Sequence, residues 1–321
     1  MTLSTSCPFE YNTLHMRSST DSLNLTVGPL RYQLVAHDNW GQGALARLRQ
    51  NVDCVTFDGV PDRAIHLLEY VLDSEDIQGL RSHRLPQRLA AAIGARLPKR
   101  RWNLTTDTTG CATWCRPGTT AIIWTYSSQF AEQPARFELP WQPMLTDIVA
   151  RGGGLLHGGL AVLNGRGYIF TAPPGGGKTT ALSRTPFPWK ALADDAILVW
   201  PAGQGRFEAS ALPTWSVLLQ RSEAPAGVER WSVATCVGVA GILVLRKAEG
   251  NRLTPVQAIE ASQAIYRALS EHPRVLTNRD PLRKELFRTA CSLARAIPAW
   301  ELELTRRADF WSILDAAFGA E

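Results

Sequence analysis

The run Ala172-Pro173-Pro174-Gly175-Gly176-Gly177-Lys178-Thr179 constrains this chain more than any other stretch. Consecutive glycines let backbone N–H groups turn toward an anion, the lysine after them supplies a point charge, and the next hydroxyl can ligate a divalent cation. That order fits a phosphate-binding loop with Ala172 in place of its first glycine. Tyr168-Ile169-Phe170-Thr171 reads as a buried strand entering the loop, and Thr180-Ala181-Leu182-Ser183 as the first turn of a helix whose positive end faces the phosphates. Pro174, Gly175, Gly176, Gly177, Lys178, Thr179 and Thr180 are therefore the expected nucleotide-binding residues. The alternative is a glycine-rich turn that holds no ligand.

Upstream, two apolar runs between Leu156 and Phe170 are joined through Asn164-Gly165, a strong hairpin signal. A hairpin feeding the loop is unlike the common doubly wound nucleotide folds, in which parallel crossovers flank that strand. Downstream, Asp194-Asp195 precede an expected strand at Ala196 to Trp200. Further strands are expected at Ala240 to Leu245 and Trp300 to Leu304, with helices over Val256 to Ser270, over Leu282 to Ala296 and from Asp309. Before the loop region, strands are expected at Arg31 to Val35, Cys54 to Phe57 and Ala121 to Tyr126, with helices at Arg63 to Leu72 and Gln87 to Leu97. Pro140 and Pro143 punctuate the chain and divide it into an N-terminal α+β domain, 1–140, and a loop-bearing α/β domain, 141–321.

Composition narrows the partners. A net charge of +5 over 321 residues suits anionic ligands without arguing for nucleic acid, and the most basic run, Lys99-Arg100-Arg101, reads as a solvated surface. The most apolar run, Val237 to Leu245, is strand-sized, so no membrane span is expected. The first residues lack a basic segment followed by an apolar one, and a cytoplasmic location is the default expectation. Six cysteines show no disulfide framework, and Cys111 and Cys115 are too loosely spaced, with no second pair nearby, to argue for a metal knuckle. Trp102, Trp114 and Trp124 read as core residues or, alternatively, as anchors of a docking surface.

Phosphoryl transfer requires gripped donor phosphates, a divalent metal between the β and γ oxygens, and an aligned acceptor hydroxyl that loses its proton. Asp194-Asp195 offer a metal ligand and a base, provided the chain bends there, because adjacent residues of a strand point to opposite faces. Two solvated turn carboxylates are the alternative. An Asn-Lys-x-Asp guanine motif and a Leu-Ser-Gly-Gly-Gln transporter motif are both absent, which weakens GTPase and transporter readings.

The order His157-Gly158-Gly159-Leu160, hairpin, Gly176-Gly177-Lys178-Thr179, then Ala193-Asp194-Asp195 resembles the catalytic domain of HPr kinase/phosphorylase and its relatives, whose fold is similar to the nucleotide domain of phosphoenolpyruvate carboxykinase. The resemblance covers the chain from about Leu156 onward. It implies a P-loop kinase domain with a mixed sheet, ATP and Mg²⁺ as cofactors, Lys178 on the phosphates, Thr179 and Asp194 around Mg²⁺, Asp195 as catalytic base and His157 near the transferred phosphate. The family's downstream signature of Glu, Arg and glycines survives only as Glu208 within Phe207-Glu208-Ala209-Ser210-Ala211, so Glu208 becomes a third metal ligand or an exposed strand carboxylate. Loss of the Arg region argues against HPr itself as substrate. The resemblance therefore implies a kinase that phosphorylates a serine or threonine hydroxyl of a peptide or small protein, and further a homo-oligomer. A kinase of a free amino acid or sugar, and a non-catalytic nucleotide-binding scaffold, are the alternatives.

Overall fold

The computed structural model describes residues 21–51, 57–69, 91, 103–106, 111–115, 121–125, 141–212, 235–271 and 280–319. Its architecture is mixed α/β, built on two sheets of mixed strand orientation. The first sheet has the order β1-β2-β3-β6-β5-β4. In it β1 (Ser22–Val27) and β2 (Leu30–Ala36) form a hairpin, β3 (Arg63–Glu69) runs parallel to β2 and to β6 (Ala121–Thr125), and β5 (Cys111–Cys115) is antiparallel to both β4 (Asn103–Thr106) and β6. Helix α1 (Asn39–Asn51) packs on β2 and β3.

The segment from Arg63 is a strand where periodicity predicts a helix. Ile65, Leu67 and Leu68 satisfy a helical spacing, but hydrogen-bonding partners on both sides, β2 and β6, draw the segment into the sheet, and tertiary pairing overrides local preference. Helix α1 carries two glycines, Gly41 and Gly43, and weak amphipathicity, so its sequence signal is poor. Its start is fixed by the Asp38 carboxylate, which accepts the Gly41 N–H at 2.8 Å as an N-cap does. The expected strand at 54–57, the helix at 87–97, the basic run at 99–101 and Trp102 fall almost wholly outside the described residues; the backbones of Trp114 and Trp124 lie on β5 and β6.

Helix α2 (Trp141–Ala150) leads into the second sheet, ordered β11-β10-β7-β8-β12-β14-β13, with β9 (Lys190–Ala193) also on β7. The hairpin β7 (Gly154–Leu163) and β8 (Arg166–Thr171) turns at Asn164 and Gly165, both with positive φ (50° and 77°), as a two-residue turn matched to strand twist requires. Strand β12 (Cys236–Lys247) is parallel to β8 and to β14 (Ala299–Leu304), whereas β13 (Arg252–Pro255), β10 (Ala196–Gly203) and β11 (Arg206–Ala211) pair antiparallel. Because β11 also pairs with β12, part of this sheet closes on itself. Both faces of the hairpin are covered. Leu160 and Ile169 enter one apolar core, while Ala161, Tyr168 and Phe170 enter a second core with Trp189, Phe310 and Trp311, so these strands read as continuous apolar runs instead of alternating.

Helices α4 (Ala258–Ser270) and α5 (Asp280–Ala296) pack together, with α4 against β7, and α6 (Trp311–Phe318) follows a short 3-10 turn. The first core is continuous from Leu25 and Leu34 of the N-terminal sheet through Met144 and Ile148 of α2 to Trp200 of β10. At that junction the Arg63 guanidinium, 1% exposed, pairs with Asp147 of α2, and the Tyr32 hydroxyl donates to the same carboxylate at 3.3 Å. Among the described residues no helix is long and apolar enough to cross a membrane.

Candidate functional site

The glycine-rich loop leaves the end of β8 and closes within a few residues, where the Gly176 N–H donates to the Pro173 carbonyl at 2.9 Å. Gly177 has φ +100°, a left-handed conformation that side chains disfavour. At Gly176 a Cβ would lie 2.5 Å from that of Ala172, so this position needs glycine for close approach. Lys178 is 6% exposed, and its Nζ donates to the Ala172 carbonyl at 2.8 Å, folding the ammonium back across the mouth of the loop. The helix that follows, α3 (Lys178–Leu182), is five residues long with no side-chain cap, so the expected helix exists only as a single turn. Any anion held here is gripped by loop N–H groups and Lys178 more than by a helix dipole.

The His157-Gly158-Gly159 run has a packing reason. A Cβ on Gly159 would overlap Leu182 Cδ1 at 1.9 Å, so the missing side chain lets α3 settle on β7. Gly158 pairs in register with Thr171, the residue that enters the loop, and its N–H donates to the Asp195 carbonyl at 3.0 Å. Strand β9 ends opposite Leu160 and β10 begins opposite His157, with Asp194-Asp195 forming the bend between them that the sequence required. The bend sends the two carboxylates to different environments: Asp194 is 1% exposed, whereas the Asp195 side chain is 36% exposed and lies 3.7 Å from His157 Nδ1.

The charges at this end act on one another. Burial lowers the pKa of His157 and the nearby Lys178 ammonium lowers it further, while Asp195 and Glu271 oppose both. Burial likewise lowers Lys178, again against the pull of Glu271 and Asp195. Glu271, the C-cap just beyond α4, thus acts by its charge on both His157 and Lys178. Nothing in its local sequence singles it out, because only the packing of α4 on β7 brings it there.

Glu208 is not brought into this group. It stands opposite Trp200 in β10 and Gly238 in β12, five residues along β10 from Asp195, or about 16 Å at 3.3 Å per strand residue. Its charge acts instead on Cys236, whose thiol is pushed up to about 11 by burial first and Glu208 second. Thr179 is half-buried beside Lys178, Thr180 and Pro174 are exposed on the loop, and among the described residues no cluster of three or more His, Cys, Asp or Glu side chains forms a ready metal cage.

A cavity of about 600 Å³ adjoins the loop on its other side. Gly175, Gly177 and Thr180 border it, together with Arg184, Lys247 and the residues that follow β14. Apart from the glycine loop its walls carry no sequence motif, because they come from three segments distant in the chain, 175–184, 247–249 and 304–310.

Residues 138–319 match the family model described as SynChlorMet cassette protein ScmC, more than half of the 321-residue chain. The match begins beside the Pro140–Pro143 boundary and takes in the loop, His157, Asp194, Asp195, Glu271 and the cavity, leaving out the N-terminal sheet. No curated protein matches the chain.

Proposed function

The chain belongs to the ScmC family, and we propose that its matched half is a P-loop kinase domain, related to HPr kinase, that transfers the γ-phosphoryl group of ATP to a serine or threonine hydroxyl of a peptide or small protein. The observation that carries this reading is the convergence of four groups at one end of the sheet: the buried Lys178 at the glycine loop, the His157–Asp195 pair 3.7 Å apart, and the buried Asp194 beside it.

The residues present fit the ligands such a reaction needs. Gly176 and Gly177 leave the backbone bare where phosphate oxygens would approach, and the Thr179 hydroxyl with the Asp194 carboxylate is a hard oxygen donor set of the kind Mg²⁺ takes. Mg-ATP held there supplies the phosphoryl group and spreads its charge over the metal. Lys178 holds the phosphates, and its ammonium leaves the Ala172 carbonyl to do so. Asp195, the more exposed carboxylate, accepts the proton of the incoming hydroxyl, and His157, whose Nδ1 lies 3.7 Å from that carboxylate, stands near the transferred phosphate. Glu208 stands too far along the sheet for a metal role, which leaves the ion to Thr179 and Asp194.

Two variants test this. Asp195→Asn should retain Mg-ATP binding while transfer to a serine-containing peptide falls by at least about 100-fold, and Lys178→Ala should lose both. Full transfer activity in either variant overturns the assignment. Shortening the acceptor separates the peptide reading from a small-molecule kinase, since a peptide kinase loses turnover on a single residue.

A further inference from the structure

The outer face of α4 and α5 takes no part in the transfer chemistry, yet its composition is that of a binding surface. Arg283, Lys284, Arg288 and Arg295 stand exposed along α5. Lys284, Arg288 and Arg295 follow helical spacing and form one stripe, with Arg283 and Phe287 in a second stripe beside it. Phe287 is 53% exposed, although its ring meets that of Tyr266 on α4 edge-on, with centroids 5.6 Å apart. A solvated basic face needs only the cations; an aromatic pair held open among them adds apolar surface that water disfavours. We infer that this face docks the peptide acceptor through an acidic segment bearing an apolar residue, which packs on Phe287 and Tyr266 while its carboxylates pair with Arg283, Lys284 and Arg288. This rests on the acceptor being a peptide or small protein, as proposed above.

The face leads to the transfer site. Leu269 of α4 and Leu286 of α5 both lie at Gly154, the start of β7, where a Cβ would stand 2.6 and 3.6 Å from their Cδ2 atoms. One turn further along α5 the Thr289 hydroxyl lies 3.1 Å from the Gly152 carbonyl, so the helix runs from the His157 side of Gly154 back past the start of the strand. At the other helix, Glu271 caps α4 and acts by its charge on Lys178 and His157. Arg283 and Lys284, near the start of α5, therefore lie toward the end of the sheet that holds His157 and Asp195. A segment docked along α5 carries its hydroxyl toward that end.

Charge selects the occupant. The carboxylates on this face are already engaged, Glu285 with Arg288 and Glu260 with the Gln257 N–H at 3.3 Å. Arg283, Lys284 and Arg295 have no carboxylate partner among the described residues. Two copies of a chain with net charge +5 would set like charges against each other here, which argues against self-association through this face. The other basic set, Arg184, Lys247, Arg306 and Arg307 around the cavity, includes no exposed large apolar residue, so it lacks the anchor that Phe287 supplies.

Fluorescence anisotropy on the full chain without nucleotide tests the docking apart from the transfer. The probes are a labelled peptide of Glu with one Phe and one Ser, its counterparts with Gln or Lys in place of Glu, and phosphatidylserine vesicles. Wild type should bind the Glu peptide at least about tenfold tighter than either counterpart, with affinity falling as salt rises. Phe287→Ser and Arg283→Glu/Lys284→Glu should each weaken that binding by at least about fivefold. Arg306→Glu/Arg307→Glu, the same change of net charge on the cavity side, should alter it by less than about twofold. Equal wild-type affinity for the three peptides, an equal loss in the Arg306/Arg307 variant, or binding to vesicles but not to the Glu peptide overturns the docking face. Binding of the Glu peptide without any transfer to it from Mg-ATP counts against the kinase reading and leaves the docking face standing.

Discussion

The two sheets each hold a partly buried histidine against a neighbour, and the surroundings of the two differ. In the second sheet His157 lies between a carboxylate, Asp195, and an ammonium, Lys178, at the end of the strands where the glycine loop emerges. In the first sheet His66 shares a 2.8 Å hydrogen bond with His37, the rings 5.0 Å apart, and burial with the neighbouring imidazole lowers its pKa to about 4. One histidine sits among charges that a bound anion would redistribute; the other is locked neutral in a wall. The contrast fits the proposed division, with chemistry at the second sheet and support from the first, which is joined to it through Arg63, Asp147 and Tyr32.

The sharpest way to break that division is to cut the junction. Burial raises the Asp147 pKa against the pull of Arg63, yet the carboxylate is the neutralising partner of a guanidinium 1% exposed. Asp147→Ala should therefore cost about 3–5 kcal/mol in urea unfolding, because the buried guanidinium loses a carboxylate that neutralises it. Mg-ATP affinity should change less than about twofold, because the residue is remote from the loop. A parallel fall in nucleotide affinity would show that the first sheet shapes the site and that the division is wrong.

Next in size is the loop itself. Gly177→Val forces a β-branched residue to φ +100°, with an expected loss of about 1–3 kcal/mol together with loss of nucleotide-induced stabilisation. Unchanged stability and binding would mean that the loop geometry is not required.

The acid limb of stability reads the first sheet. The unfolded His66 takes its proton near the ordinary histidine value of 6.5, while the folded one waits until about 4, so between those values the unfolded state holds more protons. Stability should be intact above about pH 6.5 and fall as pH drops toward 4, by an amount on the order of 2 kcal/mol once partial exposure is discounted. His66→Asn should flatten that slope; an unaltered slope would place the acid sensitivity elsewhere, with His157 the first candidate. The smallest effect is expected at Glu285, whose pair with Arg288 on α5 is 45% and 59% exposed. Glu285→Ala should cost no more than about 0.5 kcal/mol, and a larger loss would show that surface pairs carry more of this fold than exposed pairs ordinarily do.

What was legible in the sequence was local. The Asn164-Gly165 turn, the strand into the loop, the bend at Asp194-Asp195 and the helices α4 and α5 each carry their signal within a few residues, and all are present. Features set by partners distant in the chain were not legible. The segment from Arg63 is a strand because β2 and β6 flank it, Glu208 is drawn away from the loop by its register with β10, and Glu271 reaches Lys178 through helix packing. The strands β9, β11 and β13 are short, and pairing fixes them more than composition does. The cavity is the extreme case, assembled from residues 175–184 of the glycine loop and from 247–249 and 304–310, which carry no motif.

The measurement that most directly tests the central claim, that the glycine loop and Lys178 bind nucleotide phosphates, is the thermal unfolding midpoint of wild type and Lys178→Ala with and without saturating Mg-ATP. At one hundred times the dissociation constant, wild type should gain about 2.7 kcal/mol and a visibly higher midpoint, with no gain in Lys178→Ala. No gain in wild type, or an equal gain in both proteins, would contradict the claim.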